Sequence, residues 1–109
     1  MVEIQSWKDL KQVIDEKDGL FIVLGRVGKQ LNQLDLIQLQ IEIAKNELTP
    51  DTVSHLSLAK MSSLTTSSAY LIVAKLGAAR LVELLTYYAI DTRMDGIYIS
   101  KKHEAVMSL

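Results

Sequence analysis

A mainly helical domain that ends in a β-hairpin is the fold this sequence predicts, and three observations predict it. Ser6, Thr49 and Thr65 are capping residues that each stand before a run with apolar residues at helical spacing. Near the C-terminus the period changes: "LVELLTYY" and "GIYIS" are rich in leucine, β-branched residues and tyrosine, and "DTRMDG" between them has the content of a hairpin loop. A chain of 109 residues, 49% of them apolar, is long enough to bury one core and too short for two.

The elements follow in order. Ser6 caps a helix from Trp7 to about Lys17, with Asp9 three residues on, an apolar stripe of Trp7, Leu10, Val13 and Ile14, and Asp18-Gly19 as the stop. "LFIVLG" is too short for periodicity to decide, so residues 20–28 stay open between strand and helix. "GRVGK" lacks the four-residue gap between glycines and the following Ser/Thr that a phosphate loop needs, and its glycines read as turn residues. Residues 29–48 form a helix with Leu31, Leu34, Ile37, Ile41, Ala44 and Leu48 on one stripe. Leu36, Leu39 and Ile43 make a second apolar face that a subunit interface or the N-terminal elements would cover.

Thr49-Pro50-Asp51 starts a helix to about Met61, with Val53 and Leu56 inward and proline where its missing N–H costs nothing. "SSLT" breaks it. Thr65 caps the next helix, to about Ala78, on a stripe of Ala69, Ile72, Val73 and Leu76 that leaves Thr66, Ser67, Tyr70, Leu71 and Lys75 outward. The hairpin occupies residues 86–100.

Composition narrows the chemistry. Without cysteine there are no disulfides and no thiolate metal sites. The N-terminal stretch has no basic segment followed by an apolar run, and Leu20 to Leu24 is far short of the ~20 residues of a membrane helix, so a cytoplasmic protein with no membrane partner is expected. His55 and His103 are distant in sequence, and no nucleophile with a base, carboxylate pair or metal set accompanies them; no enzyme, cofactor or metal is expected. Residues 1–54 hold six cations against nine acids and residues 55–109 six against four, with no acid between Asp51 and Glu83. An acid-free surface that presents hydroxyl donors can approach phosphates without repulsion.

Two helices joined by a tight turn and followed by a hairpin is the order of a winged helix-turn-helix. "LAKMSSLTTSSAYLIVAKLGAARLVE", Leu58 to Glu83, resembles the helix-turn-helix core of winged-helix transcriptional regulators of the MarR and ArsR kind. Leu58-Ala59, Leu64-Thr65, Ala69, Ile72, Leu76 and Leu81-Val82-Glu83 fall at the family's spacings, while Arg80 stands where the family usually has glycine. The resemblance covers the C-terminal half and implies one winged-helix domain over residues 1–109. Residues 1–28 would be an N-terminal extension, 29–48 a candidate dimerisation helix, and 49–102 the helix-turn-helix with its wing.

The expected function is then that of a homodimeric transcriptional regulator binding double-stranded DNA. The 65–78 helix would enter the major groove, with Thr66, Ser67, Ser68 and Tyr70 reaching bases or phosphates and Lys75 the backbone. Arg93 at the wing tip would reach the minor groove, with Lys101 and Lys102 adding phosphate contacts. Leu71 sits where a polar residue would often meet DNA, and an exposed Tyr70 and Leu71 also suit the alternative, a protein-binding winged helix that docks a partner through the same helix.

Overall fold

The computed structural model describes residues 2–44 and 65–102, with the side chains of residues 42–44 and Thr66 outside that description. The chain builds β1 (Val2–Ile4), α1 (Trp7–Asp15), β2 (Leu20–Val23), α2 (Gly25–Gln30), α3 (Leu34–Ala44), α4 (Thr66–Leu76), α5 (Ala78–Tyr87), β3 (Tyr88–Arg93) and β4 (Gly96–Lys101). The predicted helix over residues 50–61, the "SSLT" break and the histidines lie outside the described residues.

One four-stranded mixed sheet, ordered β1-β2-β4-β3, organises the fold. β1 and β2 run parallel, joined through α1, as parallel strands require a crossover. β4 is antiparallel to both β2 and β3. The expected C-terminal hairpin is therefore present, and its second strand is an interior strand of the sheet. The pairing Phe21↔Ile99↔Ile90 and Val23↔Ile97↔Thr92 places these residues on one face. That face meets the helices. Ile4, Phe21, Val23, Tyr88, Ile90, Ile97 and Ile99 share one core with Leu10, Val13 and Ile14 of α1, Leu34 and Ile37 of α3, Ala69, Ile72 and Leu76 of α4, and Leu81, Leu84 and Leu85 of α5. The opposite face carries Glu3, Leu20, Ile22, Ala89, Asp91, Arg93, Tyr98 and Ser100.

Both caps that can be checked are in place: the Ser6 hydroxyl accepts from the Asp9 N–H (3.1 Å) and the Thr65 hydroxyl from the Ser68 N–H (3.1 Å). The α1 stop is displaced from its expected place. Lys17, at φ 59°, takes the left-handed position, with Lys17 N–H donating to the Ile14 carbonyl and Asp18 N–H to the Val13 carbonyl. This pair of bonds is a Schellman closure. The left-handed conformation is costly for a residue with a Cβ, and the Lys17 side chain here ion-pairs with Glu83 of α5.

One open reading is resolved and three further expectations are corrected. "LFIV" is a strand, pinned between β1 and β4. "GRVGK" starts helix α2; Gly25 takes a positive φ of 65°, but Gly28 lies within the helix, where a Cβ would stand 2.7 Å from the Val23 carbonyl oxygen. The helix expected over 29–48 is divided by a turn at residues 31–33. "LVELLTY" is helical, because Leu81, Leu84, Leu85 and Tyr88 fall at i, i+3, i+4 and i+7 and all four are buried. The hairpin accordingly starts at Tyr88. Helix α4 ends at Leu76, where Gly77 turns the chain at φ 85°, so Arg80 lies within α5 and needs no glycine-like backbone.

Candidate binding surfaces

Helix α4 buries Ala69, Ile72 and Leu76 completely, as its spacing predicts. Its outer side shows Ser67, Tyr70 and Lys75 exposed, with Ser68 and Leu71 half-buried. Tyr70 is 60% exposed. Two of the hydroxyls at its start are engaged in the cap, since Thr65 Oγ1 also donates to Ser68 Oγ at 3.0 Å. The principal neighbours of α4 are α5 and α1, whereas those of the hairpin are β2, α2, α3 and α5.

The hairpin tip is a charged cluster on the sheet face away from the core. Arg93 Nε donates to Asp91 Oδ2 at 2.7 Å, and its guanidinium carbon sits 4.1 Å above the Tyr98 ring. Tyr98 Oη in turn donates to Asp95 Oδ2 at 2.7 Å. The carboxylate of Asp91 raises the Arg93 pKa, and the hydrogen bond to Asp95 raises that of Tyr98, so both donors hold their protons more firmly. Arg93, expected to reach the minor groove or its phosphates, is held between one acid and one ring, with a second acid near by. Met94 at the tip is fully exposed. Lys101 and Lys102 are exposed at the far end of β4.

Helix α3 supplies a residue for which the sequence carried no signal. Gln38 is only 8% exposed, and its amide closes the outer edge of β3. Its Nε2 donates to the carbonyls of Leu85 (3.0 Å) and Tyr88, and its Oε1 accepts from the Ile90 N–H (3.3 Å). A side-chain amide here takes the place of the peptide group a further strand would supply. It also satisfies one of the last-turn carbonyls of α5, while Lys102 N–H satisfies another at Tyr87 (2.8 Å). The opposite side of α3 shows Leu36 at 45% and Leu39 at 49% exposure.

Two cavities adjoin this framework. The first, of about 270 Å³, lies between α2 and the hairpin tip and is lined by Gly25, Lys29, Asn32, Thr92 and Met94 among others. The second, of about 300 Å³, is lined by Lys17, Glu83, Tyr87, Tyr88 and Lys101. Thr92 lines the first and Tyr88 the second, and the buried hydroxyl of each has no hydrogen-bond partner among the described residues. Among the described residues two ion pairs tie α1 and the turn after it to α5: Lys17 of the turn with Glu83, and Arg80 with Asp15 through two bonds of 2.9 and 2.8 Å. The guanidinium beside Asp15 lowers its pKa, and Glu83 raises that of Lys17.

Among the described residues no group of three His, Cys, Asp or Glu side chains is placed to hold a metal ion, and no helix is long and apolar enough to cross a membrane. No protein-family model matches the chain, and neither a curated protein nor a solved structure does.

Proposed function

We propose that the chain is a protein-interaction module that pairs with a second copy of itself through the outer face of α3. The observation that carries this reading is the exposed Leu36 and Leu39 on a helix held rigidly at the sheet edge by Gln38. Among the described side chains of α3 the exposed ones, Leu36, Leu39 and Gln40, are uncharged, and Asp35 in its first turn is half-buried. A neutral apolar patch is self-complementary across a two-fold axis, since like meets like without charge repulsion. Sedimentation of the purified chain at micromolar concentration is expected to give a species of twice 12.2 kDa. Leu39→Glu is expected to return it to monomer with an unchanged circular dichroism spectrum. A monomer in the unsubstituted protein would sink the reading.

The second reading is DNA binding by a winged helix-turn-helix, with α4 as recognition helix and the hairpin as wing. One observation favours it: α4 contains no acid, and Ser67 and Lys75 are exposed on it. Two weigh against it, the Arg93–Asp91–Tyr98 cluster at the tip and the intervention of α5 between α4 and the hairpin. Binding to duplex DNA across a salt series separates the two. A DNA reader loses about one unit of salt slope in Arg93→Ala and changes its site preference in Ser67→Ala. A protein-docking module shows neither effect.

A further inference from the structure

Tyr88 is the first residue of β3 and lies on the helix-covered face of the sheet, cross-strand from Lys101. Its residue surface is 1% exposed, and its ring is fixed edge-on against Phe21, with centroids 5.8 Å apart. Yet its hydroxyl has no hydrogen-bond partner among the described residues. A buried hydroxyl left unpaired carries a desolvation penalty, and native structures rarely leave one without a reason. Tyr88 is one of the residues that line the cavity of about 300 Å³, together with Lys17, Glu83, Tyr87 and Lys101.

The chemistry of that lining is specific. Lys17 is committed to Glu83, so this pair is formally neutral. Lys101 has no ion-pair partner among the described residues and leaves the cavity with one net positive charge. Tyr87 adds a ring that is 54% exposed, available to stack on a planar group. The volume falls at the lower end of the range for ligand pockets, which suits a ligand of single-ring size.

We propose that this cavity binds a small planar monocarboxylate, its carboxylate accepting from Tyr88 Oη and Lys101 Nζ and its ring lying against Tyr87. A dianion such as a phosphate monoester fits less well, because Glu83 would face the second negative charge with no further cation to offset it. Burial pushes the Tyr88 phenol above its ordinary pKa, so at neutral pH it is a protonated donor, as the arrangement requires. The site uses neither α3 nor α4 and stands or falls independently of the self-association described above.

The experiment is a titration of the full chain with benzoate, followed by backbone amide and tyrosine ring resonances. Benzyl alcohol serves as the neutral counterpart and phenyl phosphate as the dianion. Benzoate at about 10 mM, where even a millimolar site is mostly filled, is expected to give saturating shifts at Lys17, Glu83, Tyr87, Tyr88 and Lys101. Lys101→Gln and Tyr88→Phe are each expected to weaken it about tenfold, the loss of one hydrogen bond to a charged group. Tyr88→Phe is also expected to leave the melting temperature unchanged or raised, since that hydroxyl has no protein partner to lose. Absence of saturation, equal binding of benzyl alcohol, or tighter binding of phenyl phosphate would overturn the proposal. So would a Tyr88→Phe variant that melts lower and binds benzoate normally, the behaviour of a hydroxyl held by a structural water.

Discussion

The two halves of β3 face one problem, an edge strand whose outer N–H and C=O groups have no neighbouring strand, and meet it with opposite chemistry. From Tyr88 to Ile90 the edge is closed by the buried amide of Gln38, which bonds the Tyr88 carbonyl and the Ile90 N–H. From Asp91 to Arg93 charged side chains stand on the solvent face, where Asp91, Arg93, Tyr98 and Asp95 bond one another. Unpaired edges invite pairing with another chain, and charge is a common deterrent. The difference teaches that the deterrent follows the surroundings. Where α3 packs over the edge, charge would be buried without compensation, so a neutral amide does the work; where the edge meets water, charge is inexpensive and suffices.

The largest expected effect comes from removing the closed half's device. Gln38→Leu leaves the Ile90 N–H and the Leu85 and Tyr88 carbonyls without their partner. Such groups cost about 1–3 kcal/mol each when buried, so a total loss of about 3 kcal/mol in urea denaturation is expected, some of it recovered by relaxation. A loss below about 1 kcal/mol would break the comparison, since the amide would then be closing nothing.

Gln38→Glu sharpens it through pH. The ionised carboxylate can accept from Ile90 but cannot donate to the two carbonyls, so its burial raises its folded-state pKa. A group with a raised folded pKa contributes stability below its unfolded value, roughly 4.3 for glutamate, and loses it as pH rises through the folded value. The variant is therefore expected to be more stable, relative to the unsubstituted protein, at acid pH than at neutral pH. Denaturation midpoints that shift in parallel for both proteins would contradict this.

Gly96→Ala probes the open half. Its Cβ would stand 2.8 Å from a methyl of Leu24 and 3.0 Å from two carbons of Ile22. These are side-chain atoms that can move, so a loss of about 1 kcal/mol is expected, with the hairpin retained. Loss of the hairpin's cross-strand contacts by nuclear Overhauser measurement would show that this turn is less tolerant than its charged surroundings suggest. The smallest effect belongs to Thr92→Val. Its hydroxyl is buried and has no partner among the described residues, so an isosteric methyl is expected to change stability by less than about 1 kcal/mol, in the stabilising direction. A clear destabilisation would reveal a bond to that hydroxyl and place Thr92 with the closed half.

How much of this could be read in advance varied with the kind of signal. Helices α1 and α4 were legible because cap and stripe agree: Ser6 with Leu10, Val13 and Ile14, and Thr65 with Ala69, Ile72 and Leu76. The hairpin was legible from its composition, although its start was set too early. "LVELLTYY" has the leucine and tyrosine content of a strand, yet the spacing of Leu81, Leu84 and Leu85 favours the helix that forms. β1 is three residues long and carries too little pattern to find. In the candidate site, the exposure of Leu36, Leu39, Ser67, Tyr70 and Lys75 followed from helical spacing. The restraint on Arg93 did not, because it depends on Asp91 lying cross-strand from Tyr98.

The sequence by itself determined where α1 and α4 begin, which of their faces turns inward, that a hairpin closes the described chain, and that residues 29–48 carry a second apolar face with Leu36 and Leu39 on it. These are local properties, fixed within a turn or two by capping and periodicity. Only the tertiary structure decided that "LFIV" is a strand, that Gln38 rather than a neighbouring strand closes β3, and that Tyr88 lines a cavity with Lys17 and Lys101. Each of those depends on residues distant in sequence meeting at a particular register, and chain connectivity carries no record of which distant partners will satisfy a given hydrogen-bonding group or charge.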